Sequence, residues 1–215
     1  MKSHGNDMSS EPTPSRRDQN KERTRRALLS AARRLFAERG FDKVTISAIC
    51  SEADVGRRTF FRYFPTKESL VFIEHEERLA RLLKMLASGP ADEPVFTTLR
   101  RLSRVFAEQY MADKEGIIAH QKFLASSTVL VAKEREIDRR WEASIAKLFR
   151  QRAGAEGPEV ERWAGVVAGA AMGTVRATLR YWFVNGGTED LVKLGEEALD
   201  SLETGFQHGW GAGAN

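Results

Sequence analysis

The sequence predicts an all-α protein of nine helices, on three observations. Apolar residues recur at i, i+3, i+4 spacing through the long segments. No segment alternates apolar with polar residues or carries hairpin turn chemistry, so strands have no support. Breaks at Ser88-Gly89-Pro90-Ala91-Asp92-Glu93-Pro94 and Gly154-Ala155-Glu156-Gly157-Pro158 cut the rest into helix-length pieces. A chain of 215 residues, 41% hydrophobic and 30% charged, has ample length for a core and the balance of a soluble globular protein.

Residues 1–18 are polar, hold two prolines and show no apolar period; they are expected to be a disordered tail. The first helix is expected from about Asn20 to Arg39, on Ala27, Leu28, Ala31, Leu35 and Phe36, with Gly40 ending it and Phe41 folding back. Arg16, Arg17, Lys21, Arg23, Arg25 and Arg26 form a dense basic run at its start. That run reads either as a solvated helix start or as an arm on DNA phosphates or in a minor groove. Phosphate contact is favoured for some of these residues, Arg23 among them, and the groove stays open.

The next two helices are short. Thr45 caps the first, whose inward positions are Ile46, Ile49 and Cys50. Asp54 stands where the chain must turn, and Asp tolerates the left-handed conformation. Val55 reads as a buried peg and Gly56 as the cap of the helix Arg57 to Tyr63. That helix sends Phe60 and Phe64 inward and leaves Arg57, Arg58, Phe61, Arg62 and Tyr63 outside. Three arginines, two aromatics and no acid make a face for a polyanion, and an Arg fork can read guanine O6/N7 in a major groove. Pro65 stops the helix, and Thr66 caps a fourth, expected from Thr66 to about Leu86, with Ser69 where a capping box wants Glu. The arrangement is a helix-turn-helix.

Further helices are expected at Val95 to Met111, Gly116 to Ser126, Thr128 to Arg152, Pro158 to Asn185 (closed by Gly186-Gly187) and Thr188 to Phe206, before a flexible tail over 208–215. The helix after Pro158 carries Gly165, Gly169 and Gly173 four apart on one face. Each costs a helix about 1 kcal/mol relative to Ala, so close packing is implied. Arg162, Arg176 and Arg180 exclude a membrane span, leaving a tight crossing inside the subunit or a subunit interface.

Val44-Thr45, Ala53-Asp54-Val55, Arg57 to Phe64 and Pro65 to Leu70, with Ala31-Ala32 and Leu35 to Phe41 upstream, resemble the DNA-binding signature of the TetR family of bacterial regulators. The resemblance covers residues about 20 to 75. Asp54, Gly56 and Phe61 depart from the commonest pattern; Phe61 lacks a tyrosine hydroxyl that approaches a phosphate in many relatives. The resemblance implies a nine-helix fold, with a helix-turn-helix head over 19–66 and an effector-binding and dimerisation body over 67–207. It implies a homodimer whose last two long helices form a four-helix bundle, which favours the interface reading of the glycine stripe. It also implies double-stranded DNA as partner, with Arg57 and Arg58 as base readers, Thr45, Tyr63 and Lys67 as phosphate contacts, and Ser47, Thr59, Phe61, Arg62 and Arg23 completing the DNA-facing set.

Charge follows the same division. Residues 1–65 carry 14 Lys and Arg against 8 Asp and Glu, and residues 66–215 carry 20 against 22. A basic head on a near-neutral body is the footprint of a DNA-binding regulator. The four histidines, His4, His75, His120 and His208, share no metal-ligand spacing, and no cofactor is expected. No phosphate-binding glycine loop or nucleophile elbow occurs, and Glu74, Glu76 and Glu77 read as a solvated face, so an enzyme is the weak second hypothesis. A nucleoid-organising or cell-division protein on the same head is a third. Cys50 reads as a small buried hydrophobe, and the absence of a signal peptide or long apolar run predicts a cytoplasmic protein.

The predicted reading is a ligand-released repressor on a palindromic operator. Candidate pocket residues are Phe106, Tyr110, His120, Phe123, Trp141, Met172 and Arg176, with Phe96, Trp163 and Trp182 in the wider set. The C-terminal half loosely resembles the group that includes the mycofactocin-system regulator, for which acyl-CoA effectors are known. An acyl or aromatic acid effector is the corresponding guess.

Overall fold

The computed structural model describes residues 15–90, 93–153 and 156–205, the side chain of Leu86 apart. Among them the elements are α1 (Arg16–Arg39), α2 (Ile46–Glu52), α3 (Arg57–Tyr63), α4 (Ile73–Ser88), α5 (Val95–Ala112), α6 (Lys114–Ala125), α7 (Thr128–Arg152), α8 (Pro158–Val184) and α9 (Leu191–Glu203), with a 3₁₀ turn at Glu68–Leu70. No strand occurs among the described residues, and no described helix is long and apolar enough to cross a membrane. The chain divides into two compact units, Met1–Val71 and Phe72–Asn215.

In the first unit, α1 is longer than its apolar period indicates. The expected disorder through residue 18 is corrected for Arg16 to Asp18, which are helical; residues 1–14 lie outside the described set. The cause is a cap: the Ser15 hydroxyl oxygen accepts from the Asp18 amide at 3.2 Å, while its proton goes to the Asp18 carboxylate at 2.7 Å. Leu28, Leu35 and Phe36 of α1, with Phe41, Val44, Ile49, Phe60, Phe64 and Leu70, are among the buried residues of this unit, and the Phe36 and Phe41 rings lie 5.2 Å apart. Thr45 caps α2 through the Ala48 amide, and Asp54 turns the chain at φ 52° as expected. Val55 is only half-buried.

The single helix expected from Thr66 to Leu86 is two elements. Thr66 accepts from the Ser69 amide at 3.3 Å and starts only the 3₁₀ turn, and the chain resets at Phe72 (φ −99°, ψ 14°) before α4 begins. Leu70 and Phe72 are both buried, and the boundary between the two units falls between them in the chain.

In the second unit the main core joins Leu79 and Leu82 of α4, Leu99 and Leu102 of α5, Ile145 and Phe149 of α7, and Ala164, Ala168 and Met172 of α8. A smaller cluster holds Ala107, Trp182 and Leu191. α5 and α9 pack closely at Gly195, where an added Cβ would lie 2.7 Å from Ser103 Oγ. Arg100 clamps that seam to Asp200 and Glu203, and Arg104 pairs with Glu196. Asp113 caps α6 and Asp190 caps α9. α9 is shorter than expected, starting at Leu191 instead of Thr188, because Asp190 takes the Val192 and Lys193 amides. Gly187 (φ 65°) lets the α8–α9 turn close on Trp182, and the expected flexible tail over 208–215 lies outside the described residues.

Candidate nucleic-acid interface and effector body

α2 and α3 place the predicted DNA face on one side of the first unit. Phe60, fully buried, and Phe64 anchor α3 inward, with ring centroids 5.9 Å apart. Arg57, Arg58, Phe61 and Arg62 are left exposed and Thr59 and Tyr63 half-buried. Arg57 donates to Ser47 Oγ at 3.3 Å, so the α3 guanidinium is held against α2. Arg62 lies over the Tyr63 ring at 5.3 Å, and Phe61 stands edge-on to Phe60 at 5.4 Å. Among the described residues no carboxylate pairs with Arg57, Arg58 or Arg62; the nearest acid on α2, Glu52, is taken by Arg34. Three unneutralised guanidiniums on one short helix attract a phosphate-bearing partner.

Thr45 spends its oxygen on the α2 cap and keeps its proton to give. On α1, Arg16, Arg17, Lys21 and Arg23 are exposed, whereas Arg25 and Arg26 lean on Glu22. The Arg26 hydrogen bond holds the Glu22 carboxyl below its ordinary range.

Lys67 has an engagement inside the fold that the sequence did not indicate. Its ammonium turns inward, donating to the carbonyls of Phe41 at 2.8 Å and Val44 at 2.9 Å, and lies 3.9 Å from the Phe41 ring centroid. Two of its three N–H groups are spent fixing the α1–α2 loop, so Lys67 is a clamp of the fold before it is a phosphate contact. The Lys67→Met variant is expected to lower the first unit's thermal midpoint, with a loss of about 1.5–3 kcal/mol for charged hydrogen bonds. Calorimetry checks this: an unchanged midpoint with a shallower salt dependence of DNA binding would restore the phosphate role.

The second unit gathers some of the predicted pocket residues and disperses others. Phe106 of α5 and Trp141 of α7 face each other at 6.1 Å. Tyr110 of α5 accepts from Arg78 Nη1 of α4 at 2.8 Å, and His120 of α6 lies 5.7 Å from His75 of α4. Phe123 is half-buried on α6. Met172 is core, packed with the main cluster. Arg176 is largely exposed and stands 3.9 Å from Glu142. Trp182 is structural, its indole N–H donating to the Glu189 carbonyl at 2.9 Å, and Trp163 is an exposed residue of α8 that touches Phe149.

Sequence reasoning missed His75, Arg78, Glu134 and Asp138. His75 and Arg78 are three apart, on the inward side of α4 with Leu79 and Leu82; that spacing was the available signal. Burial, then the charges of Arg78 and His120, push His75 down to about 3 and hold it neutral. Burial also pushes Glu134 and Asp138 of α7 above the ordinary carboxylate range, against a Gln121 hydrogen bond on the first and Arg176 on the second. His75 Nδ1, Arg78 Nε and Trp141 Nε1 are buried without a hydrogen-bond partner.

The glycine stripe of α8 does not cross a helix tightly inside the subunit. A Cβ on Gly165 would meet no described atom within 4 Å; on Gly169 it would meet only Glu142, at 3.4 Å, and on Gly173 only Arg176, at 3.9 Å. Trp163, Val166, Tyr181 and Val184 stand exposed on the same helix.

Two family profiles match separate stretches of the chain. The profile for bacterial regulatory proteins of the tetR family matches residues 28–72, and that for the MftR C-terminal domain matches residues 93–207. The HTH-type transcriptional regulator TcmR of Streptomyces glaucescens is 27% identical over 205 residues, spanning 92% of this chain and 90% of its own. A protein of Mycobacterium tuberculosis named as a mycofactocin biosynthesis transcriptional regulator, MftR, is 25% identical over 80% of this chain and 85% of its own. The structure of the TetR-family repressor FadR of Thermus thermophilus, in complex with lauroyl-CoA, superposes with a TM-score of 0.51 at 26% identity, covering 89% of this chain and 98% of that one. The C-terminal match alone takes in more than half of the sequence: the chain belongs to the TetR family of DNA-binding transcriptional regulators, a non-enzymatic family, and carries an MftR-type C-terminal domain.

Proposed function

We propose that the protein is a homodimeric repressor that binds a palindromic operator in the cytoplasm and is released by a small organic effector held in its second unit. The observation that carries the DNA half of this reading is the acid-free face of α3, where Arg57 is oriented by Ser47 and no described carboxylate competes for Arg57, Arg58 or Arg62. Arg57 and Arg58 are the base readers; Thr45, Tyr63 and Arg23 position the backbone, since phosphate contacts orient while base contacts specify. The dimer half is supported by the open glycine stripe and the exposed apolar side chains of α8.

An effector acts by changing the separation of two heads that read half-sites about 34–36 Å apart. It must bind the non-DNA spacing more tightly, because equal affinity for both states shifts nothing. α4, the first helix after the head in the chain, contributes His75 and Arg78 to the buried polar group and is the route for that coupling. The FadR complex with lauroyl-CoA supports an organic effector, and an acyl or aromatic acid is the class proposed.

The test is competition binding on a selected operator. Arg57→Ala is expected to cost roughly 1–3 kcal/mol at the cognate site and to relax preference at one base pair. An equal loss on every sequence would make Arg57 a phosphate contact, and occupancy of many unrelated sites along a chromosome would favour a nucleoid-organising role.

A further inference from the structure

The second unit contains an arginine whose charge the protein does not answer. Arg78 Nη1 is committed to the Tyr110 hydroxyl at 2.8 Å, and the guanidinium carbon lies 5.0 Å from the Tyr110 ring centroid. Its Nε is buried and has no partner, and no described carboxylate forms an ion pair with it. Two carboxylates share the neighbourhood, since both Glu134 and Asp138 act electrostatically on Tyr110, but each has a partner elsewhere: Gln121 bonds Glu134, and Asp138 feels Arg176. A buried guanidinium N–H left without a partner is costly, and such a group in a folded protein calls for a missing partner.

The chemistry of that partner follows from which edge is open. With Nη1 taken, Arg78 retains Nε–H and the adjacent Nη2–H, two parallel donors that match the two oxygens of a carboxylate. His75, one turn earlier on α4, and Trp141 on α7 bring two more buried nitrogens without partners. The indole N–H is a donor only, and neutral His75 can present a donor at Nδ1. Aromatic rings border these groups: Phe106 lies 6.1 Å from Trp141, and Phe72 stands edge-on to His75 at 5.2 Å.

We propose that the effector is a free organic acid with an aromatic or similarly flat skeleton, its carboxylate seated side-on against Arg78 Nε and Nη2, with His75 and Trp141 donating to further oxygens of the same molecule. This rests on the reading of the second unit as effector-binding and narrows its ligand. A coenzyme A thioester does not fit the recognition: its acyl carbonyl is uncharged, and its phosphates need several cations where this cluster supplies one guanidinium beside two acids.

The experiment uses the full-length protein and matched probes: benzoate, 2-naphthoate and laurate, each against its methyl ester, with lauroyl-CoA alongside. Binding is followed by calorimetry, and operator binding is measured on the same samples. At least one acid is expected to bind at least tenfold more tightly than its ester. Arg78→Gln is expected to abolish that preference and weaken the acid roughly 10–100-fold, the scale of a lost charge-assisted pair. Arg78→Lys keeps the charge without the fork, is expected to fall between, and serves alone if Arg78→Gln does not fold. Ester binding equal to acid binding, an undiminished Arg78 variant, a response to lauroyl-CoA alone, or no acid binding at millimolar concentration each overturns the proposal. Operator binding separates the two levels: if it is intact while the acids fail, only the ligand class is lost, whereas its absence removes the regulator reading.

Discussion

Val166→Asp is expected to leave the helical fold of the subunit intact and to drive the protein to monomer. Val166 is 65% exposed on α8, so a carboxylate there meets water in the isolated subunit and costs its fold little. In the proposed dimer the same carboxylate would be buried, twice across a two-fold axis, with an effective penalty of several kcal/mol per ion. Operator affinity should then fall roughly 10³-fold or more, because a single head retains little beyond non-specific attraction. Gly165→Leu is the companion variant, since its Cβ meets no described atom of its own subunit within 4 Å. Sedimentation at micromolar concentration reads both. A dimer that survives both substitutions moves the interface off α8.

Phe60→Ala carries the other large effect. The side chain is fully buried, with Phe61 edge-on to it at 5.4 Å and Phe64 tilted against it at 5.9 Å, and it pins α3 to the first unit. Removing a buried aromatic ring costs about 3–5 kcal/mol. Typical stability of roughly 0.05–0.15 kcal/mol per residue gives a unit of this size about 3–9 kcal/mol in all, so most of it is lost. The expected result is loss of operator binding near body temperature while the second unit keeps its helical signal and its transition. Circular dichroism with DNA titration distinguishes this from a contact effect: a variant with normal melting and weak DNA binding would mean that Phe60 acts through α3 orientation alone.

Local rules carried the sequence reading a long way. Thr45, Asp54, Gly56 and Pro65 act on the chain within a few residues of themselves, so the helix-turn-helix and its inward Phe60 and Phe64 were legible residue by residue. The Ser15 cap was legible too, as a Ser followed three residues later by Asp, but the polar composition around it obscured the signal. The fate of Lys67 was not, because its carbonyl partners, Phe41 and Val44, lie more than twenty residues upstream and are chosen by the packing of α1 against α2. The same holds in the second unit. Tyr110, His120 and Trp141 could be named from residue type, but Arg78 gains meaning only when α4 and α5 bring an uncharged hydroxyl to it while no described carboxylate forms an ion pair with it. The glycine stripe of α8 finds no close neighbour inside the subunit, whereas an added Cβ on Gly195, a single glycine with no stripe around it, would lie 2.7 Å from Ser103 Oγ.

Cys50 gives the molecule an unplanned clock. It is the chain's one thiol, buried on α2 at 5% exposure. Burial pushes the thiol up more than the nearby Arg57 draws it down, so little thiolate forms at neutral pH and none is reachable. A thiol reagent therefore labels only those molecules in which the first unit has opened, and with excess reagent the rate of modification is the rate or the population of opening. The unmodified protein thus reports, one sulfur per chain, how often its DNA-binding unit breathes, and how far an operator slows it.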